Sequence, residues 1–255
     1  MVSPKKSLGQ HFLHDKNIAQ KIVDHLIART GNVLEVGPGT GVLTGFLNKK
    51  NFQDYKVIEI DRESVEYLQK TFPELNEKIL AADFLRTDIQ NLFQGSFSVI
   101  GNFPYNISSQ ILFKILDVHE QVDEVVGMFQ KEVAERIVSP PGSKKYGILS
   151  VLVQAFFNAR LLFTVNESVF YPPPRVKSAV IKLERIEGKM LPCEKKLFFD
   201  LVKTAFNQRR KTLKNALHKF EFAQNDKITE LLSRRAEQLS VTDFEYMCTI
   251  VQQVK

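Results

Sequence analysis

Val33-Leu34-Glu35-Val36 followed by Gly37-Pro38-Gly39-Thr40-Gly41 reads as a buried strand, a glycine loop and the start of a helix. Glycines remove Cβ atoms where backbone must lie against a ligand, and the amides opening the next helix can face a polar group on it. The spacing is Gly-x-Gly-x-Gly with a proline inside, whereas a dinucleotide fingerprint is Gly-x-Gly-x-x-Gly, so NAD is disfavoured. Twenty-two residues beyond Gly37, the strand-like Lys56-Val57-Ile58-Glu59-Ile60-Asp61 brings Glu59 to a strand end where ribose hydroxyls are usually bound. Asp61 suits the N-cap of a helix starting near Arg62.

Outward from that loop the pattern alternates. Strands are predicted near 33–36, 56–60, 78–82, 97–101 and 123–129, and helices near 17–28, 40–48, 62–71, 106–116 and 147–158. Strands joined by helices imply a parallel sheet with right-handed crossovers, and ligands then sit at the carboxyl ends of the strands. The glycine loop, Glu59, Asp83 and Asn102 follow successive strands, so such a fold gathers them around one pocket. Asp83 could accept an N–H from an adenine ring or cap the helix after Phe84. A final strand pair, 159–166 and 176–185, flanks Phe170-Tyr171-Pro172-Pro173-Pro174, and the chain beyond Gly188 reads as helical. The boundary falls between a catalytic domain at 1–186 and a small all-α domain at 187–255.

Gly101-Asn102-Phe103-Pro104-Tyr105-Asn106 closes the fourth strand with a polar and aromatic cluster suited to an exocyclic base amine. Such an amine is a poor nucleophile while its lone pair is shared with the ring, so its N–H groups must be held out of the ring plane. The Asn102 side-chain carbonyl can accept one N–H, and the Phe103 carbonyl, fixed by the restriction Pro104 imposes, can accept another. Tyr105 offers a flat face for the base. The same letters also serve as a proline turn with Asn102 capping the next helix.

Composition sets bounds. The chain has 255 residues, 44% of them hydrophobic, enough for one large α/β core with a small appendage. Net charge is +6 with a pI near 9.2, which suits a polyanionic partner without requiring one. Cys193 and Cys248 match no metal spacing and are expected as buried thiols, and no metal site is visible. No apolar run is long enough to span a bilayer and the basic N-terminus lacks the core of a signal peptide, so a cytoplasmic protein without membrane contact is expected. From Lys203 to Lys219 there are six Lys or Arg residues and no acid. Helical spacing gathers Lys203, Arg210 and Lys214, and Arg209, Arg210 and Lys211 are the expected phosphate contacts. The segment 131–145, with Lys131, Arg136, Ser143 and Lys144, is a second candidate diluted by Glu132 and Glu135, or a mobile loop.

Taken with Leu8-Gly9-Gln10-His11-Phe12-Leu13, Gln130-Lys131-Glu132-Val133, Phe170 to Val176 and Asn207-Gln208-Arg209-Arg210-Lys211-Thr212, these motifs closely resemble the ribosomal RNA adenine N6,N6-dimethyltransferase family from Ser7 to about Lys219. The resemblance implies a Rossmann-like class I fold in which 159–166 and 176–185 form the antiparallel hairpin ending the sheet. It implies S-adenosylmethionine as cofactor, bound by His11, Leu13, Gly37, Glu59, Asp83 and Asn102. Together with the chemistry of the cluster read above, catalysis is expected of Asn102, Pro104 and Tyr105 and contact with the substrate base of Phe103, Tyr105 and Phe170, with Tyr171 the alternative to Phe170, although three prolines in a row also serve simply to stiffen a connection. His11 stands where the family more often has Asn, and Phe103 where it more often has Leu or Ile. The implied substrate is two adjacent adenines in a hairpin loop near the 3′ end of small-subunit ribosomal RNA, inside a subunit or its precursor and met by a monomer. Three other readings stay open: a methyltransferase acting on large-subunit RNA, a ribosome-assembly binding protein, and a DNA adenine methyltransferase.

Overall fold

The computed structural model describes residues 2–254. Near the N-terminus, Phe12–Leu13 form a short strand β1, followed by helix α1 (Lys16–Asp24), which Asp15 caps by accepting from the Asn17 and Ile18 amides. Strand β2 (Asn32–Val36) lies between two other strands and is buried at every residue, the polar Asn32 and Glu35 included. The chain continues as α2 (Thr44–Leu47), β3 (Asp54–Glu59), α3 (Arg62–Thr71), β4 (Ile79–Ala81), β5 (Phe97–Asn102), α4 (Ser108–Asp117), β6 (Val122–Gln130), α5 (Lys131–Val138) and α6 (Ile148–Gln154). It then runs through β7 (Phe157–Val165), β8 (Phe170–Tyr171), β9 (Ser178–Arg185), α7 (Lys195–Asn207), α8 (Leu213–Ala216), β10 (Phe220–Phe222), α9 (Asp226–Ser233), α10 (Val241–Thr249) and β11 (Val251–Val254).

The main sheet has the order β4-β3-β2-β5-β6-β9-β7. Its first five strands are parallel, and β9 joins antiparallel to β6 over seven residue pairs from Glu124↔Glu184 to Gln130↔Ser178. The expected α/β sheet with a terminal hairpin is therefore present. The order reverses at β2, which pairs with β3 on one side and β5 on the other, and that reversal opens a crevice at the carboxyl ends of the strands. Beneath it lies a core including Leu13, Val33, Val57, Leu68, Ile100, Val126 and Phe170.

The chain divides into two units, Met1–Ala134 with Asn158–Arg185, and Glu135–Phe157 with Ile186–Lys255. The sequence places a single boundary at 186–187; the structure adds 135–157 to the C-terminal unit. There Arg136 and Ile137 carbonyls bond Ser150 and Gln154 of the same unit, so the connection is a structured element. The second unit has a helical core along α7, where Phe198, Leu201, Val202, Ala205 and Phe206 are buried. It is not all-α: β10 and β11 form an antiparallel ribbon. Cys193 and Cys248, expected as separate thiols, form a disulfide across 55 residues, a proximity created by tertiary folding that no local spacing announces.

Candidate active site

Four loops at strand ends build one cavity. Gly37–Thr40 after β2, Glu59 and Ile60 at the end of β3, Ala82–Leu85 after β4 and Asn102–Ile107 after β5 line a space of about 270 Å³, closed on another side by Ser7–Leu13. Gly37 and Gly39 have φ values of +68° and +57°, a region that side chains with a Cβ rarely adopt. A Cβ on Gly39 would also come within 2.8 Å of the Phe12 ring. The loop is therefore glycine for both backbone and packing reasons, and α2 opens only at Thr44, four residues later than the helix predicted from 40.

Glu59 is almost fully buried. Its Oε2 accepts from the Gly39 amide (3.1 Å) and its Oε1 from the Asp61 amide (2.9 Å). Burial raises its pKa, and those amide bonds oppose the rise without cancelling it. Its carboxylate thus joins the glycine loop to the end of β3, in position to accept hydroxyl groups. Asp61 occupies the N-cap position of α3 but caps no backbone amide. Its carboxylate instead holds the Lys5 ammonium, Gln10 Nε2 (3.3 Å) and Ser64 Oγ (3.0 Å). Burial pushes this carboxyl up, but the bonds from Lys5, Gln10 and Ser64 outweigh it and hold it below its ordinary value. Asp61 thereby pins the N-terminal segment over the cavity. Asp83 lines the cavity; its Oδ1 accepts from the Leu85 amide at 2.9 Å within a turn, where the sequence suggested the cap of a helix that does not form, and its Oδ2 lies 3.5 Å from Arg86 Nε.

Asn102 ends β5 with its amide group oriented: Nδ2 donates to the His11 carbonyl at 3.0 Å, which turns Oδ1 away as an acceptor. Phe103 lines the cavity with its ring buried edge-on against Phe129, 5.1 Å between centroids, so contact with a ligand falls to its backbone. Tyr105 has its hydroxyl bonded to Ser178 Oγ and one ring face stacked on His11 at 5.3 Å. Burial pushes its phenol up, so it stays protonated. His11 thus has three tasks. Its carbonyl fixes Asn102, its ring covers Tyr105, and its Nδ1–H donates to the Pro172 carbonyl at 2.7 Å. Its ring is thus held by protein at one face and at Nδ1.

Two expectations are corrected. Phe170, expected at the base, is 2% exposed and belongs to the core, because the pairing of β8 with β1 turns it inward opposite Leu13; it does not line the cavity. Arg209, expected to contact phosphate, directs Nη2 to the carbonyls of Lys144 (3.0 Å) and Tyr146 (3.1 Å) and to Glu237 Oε2 (3.3 Å). It fastens the second unit internally, whereas Arg210 and Lys211 beside it are exposed. Lys219 pairs with Asp200 at 2.7 Å.

One buried group went unnoticed in sequence. Glu35, fully buried in β2, accepts from the Tyr55 hydroxyl and from Thr44 Oγ1 at 2.9 Å. Burial raises its pKa to about 7, against the lowering effect of the Tyr55 and Thr44 bonds. The signal was a lone acid inside the apolar run Val33 to Val36.

A parallel sheet, a positive-φ glycine loop, an acid ending the next strand and an aimed Asn-Phe-Pro-Tyr cluster define a Rossmann-like class I methyltransferase. The family described as "Ribosomal RNA adenine dimethylase" matches residues 1–253. A protein named "Ribosomal RNA small subunit methyltransferase A" from Cytophaga hutchinsonii is 54% identical over 95% of each chain, and one of the same name from Porphyromonas gingivalis is 53% identical over 99% of each. The crystal structure of a dimethyladenosine transferase from Plasmodium falciparum superposes with a TM-score of 0.77 at 27% identity, covering 92% of this chain and 94% of the other. That of the 23S rRNA methyltransferase ErmE gives 0.69 at 21% identity over 93% and 99%, a likeness of fold. The chain belongs to the ribosomal RNA adenine dimethylase family and is, by that membership, an RNA adenine methyltransferase.

Proposed function

We propose that this enzyme transfers methyl groups from S-adenosylmethionine to N6 of two adjacent adenines in a hairpin loop near the 3′ end of small-subunit ribosomal RNA, giving N6,N6-dimethyladenosine. The observation that carries the reading is Asn102, whose amide nitrogen is fixed by the His11 carbonyl and whose free oxygen belongs to the cavity that also holds Glu59 and the glycine loop.

The cavity suits the cofactor by its acceptors and donors together. The Glu59 carboxylate fits paired ribose hydroxyls, Asp83 an adenine amine, and the glycine-loop amides with the backbone of His11 and Leu13 fit the polar tail. When bound, S-adenosylmethionine supplies an electrophilic methyl group. The chain's own contribution is position. Asn102 Oδ1 and the Phe103 carbonyl accept the two N–H groups of the amine and bring its lone pair out of conjugation. The Tyr105 face not covered by His11 supports the base and, as N6 becomes cationic, stabilises it by on the order of 1 kcal/mol. The proton leaves to water. Holding the reactants at near-attack geometry removes roughly 7–11 kcal/mol of barrier, so attack by a neutral amine needs no ionised base. Pro104 keeps the two carbonyl acceptors in register.

Loop bases are the accessible kind for such a pocket, since an unstacked base can enter it. Arg210 and Lys211 supply phosphate neutralisation that selects no sequence. The reading places a single chain on the small subunit or its precursor in the cytoplasm. The Cys193–Cys248 pair is open to reduction in that compartment, and the reaction does not use it. Near-full-length identity to small-subunit enzymes supports that target over large-subunit RNA or DNA.

Asn102→Ala tests the mechanism. Single-turnover transfer to small subunits lacking their methyl marks is expected to fall about 10²–10³-fold, comparable to loss of one preorganised transition-state contact, while cofactor affinity measured by calorimetry stays within a few-fold. Unchanged turnover overturns the assignment.

A further inference from the structure

The β1–β8 ribbon sorts four side chains by face. Residues directly opposite each other on an antiparallel pair project to the same side, and here Leu13 opposes Phe170 while Phe12 opposes Tyr171. The first pair is buried in the core. The second pair therefore lies on the other face, where Phe12 forms cavity wall beside Gly39. Tyr171, next to Phe12 on that face, is 64% exposed. Alternation along a strand thus sends Phe170 inward and its neighbour to the exposed face that carries Phe12, a residue of the cavity wall.

Tyr171 is held rather than loose. Its strand is paired, the next carbonyl, that of Pro172, accepts from His11 Nδ1, and three successive prolines fix the backbone that follows. His11 is the same residue that fixes Asn102 and covers Tyr105, so the rim aromatic is tied to the catalytic cluster through one side chain. The Tyr171 ring has no hydrogen-bond or ring partner among the described residues. Arg175 and Lys177, on the same segment, are exposed cations. An exposed aromatic with adjoining cations is the composition that binds single-stranded nucleic acid, the ring stacking on a base and the cations meeting phosphate.

Resting on the RNA reading above, we propose that Tyr171 is the stacking platform for the unpaired nucleotide next to the target adenine, with Arg175 on the phosphate joining them. The target base enters the cavity beside Tyr105, and its neighbour is caught at the rim. Tyr171 then acts on substrate binding and register, leaving cofactor binding and the chemical step to the residues inside.

The test is initial-rate methylation of small subunits lacking their methyl marks, using wild type, Tyr171→Ala, Tyr171→Phe and Tyr171→Trp. Tyr171→Ala is expected to raise KM for the subunits about tenfold, within the range for removing one base–aromatic stack, with kcat and cofactor affinity unchanged; Phe and Trp restore KM. A hairpin RNA carrying 2-aminopurine beside the target adenine is expected to be quenched by wild type and much less by Tyr171→Ala. Unchanged KM and equal quenching with Tyr171→Ala overturn the platform, as does a KM increase that follows a loss of cofactor affinity. Absence of methyl transfer by the wild type overturns the RNA reading and the platform together.

Discussion

At the end of β5, Asn102 gives its amide nitrogen to the His11 carbonyl and keeps an oxygen for a ligand; past the end of α7, Arg209 gives its guanidinium to the Lys144 and Tyr146 carbonyls and to Glu237. Both side chains are anchored by backbone, but one is aimed by its anchor and the other is consumed by it. The difference follows from what surrounds them. Asn102 stands where a parallel sheet reverses its order, a position with nothing above the strand ends except the loops that form the cavity. Arg209 follows a helix and lies among the carbonyls of a turn in its own unit, which need donors. A cation in a basic run is therefore a weaker pointer to function than a neutral amide whose one free valence faces a cavity.

The largest effect expected to sharpen this contrast concerns Glu35, a buried acid under the glycine loop that the reaction does not use. Its folded pKa of about 7 lies above the unfolded value of 4.5, so its contribution is fully present below pH 4.5 and is lost as pH rises toward 7 and beyond. On the order of 3 kcal/mol is at stake for a fully buried group. Denaturant unfolding at pH 5 and pH 8 should show a steeper loss of stability in wild type than in Glu35→Gln. Equal slopes would remove the buried-acid account.

Next is Gly39→Ala. A positive φ costs an L-residue roughly 1–2 kcal/mol, and the added carbon meets the Phe12 ring, so cofactor affinity by calorimetry should fall about tenfold or more. Retained affinity would mean that the loop's shape does not govern binding.

The smallest effects separate neighbours in the basic turn. Arg209→Ala should lower the stability of the second unit by about 1 kcal/mol, seen as a reduced melting temperature, because two carbonyls lose their donor. Arg210→Ala with Lys211→Ala should leave melting unchanged, weaken subunit binding a few-fold and reduce its salt dependence by up to about two in log–log slope. If Arg209→Ala instead reproduces the second pattern, the contrast between an aimed and a consumed side chain fails for this pair.

The parts of the fold legible in sequence were those specified locally. Apolar runs identified β2, β3, β5 and β6, with glycine or proline bounding β2 and β5, and the residues following β2, β3 and β5 marked the cavity wall. What was missed depends on partners far along the chain. β1 and β8 have two residues each, too few for a period, and form only because residues 12–13 meet 170–171. That pairing decides which of Phe170 and Tyr171 faces out. The Cys193–Cys248 bond and the attachments of Arg209 are likewise long-range. The helix at Lys131–Val138 falls in the segment expected as a second phosphate contact or a mobile loop; its charges are legible in sequence, whereas the burial of Ala134 and Ile137 depends on tertiary packing.

The most direct measurement is methyl transfer from labelled S-adenosylmethionine to purified small and large ribosomal subunits lacking their methyl marks, followed by nucleoside analysis. The account predicts label as N6,N6-dimethyladenosine confined to small-subunit RNA at two adjacent positions. Label in large-subunit RNA, or binding to small subunits with no transfer, would contradict it.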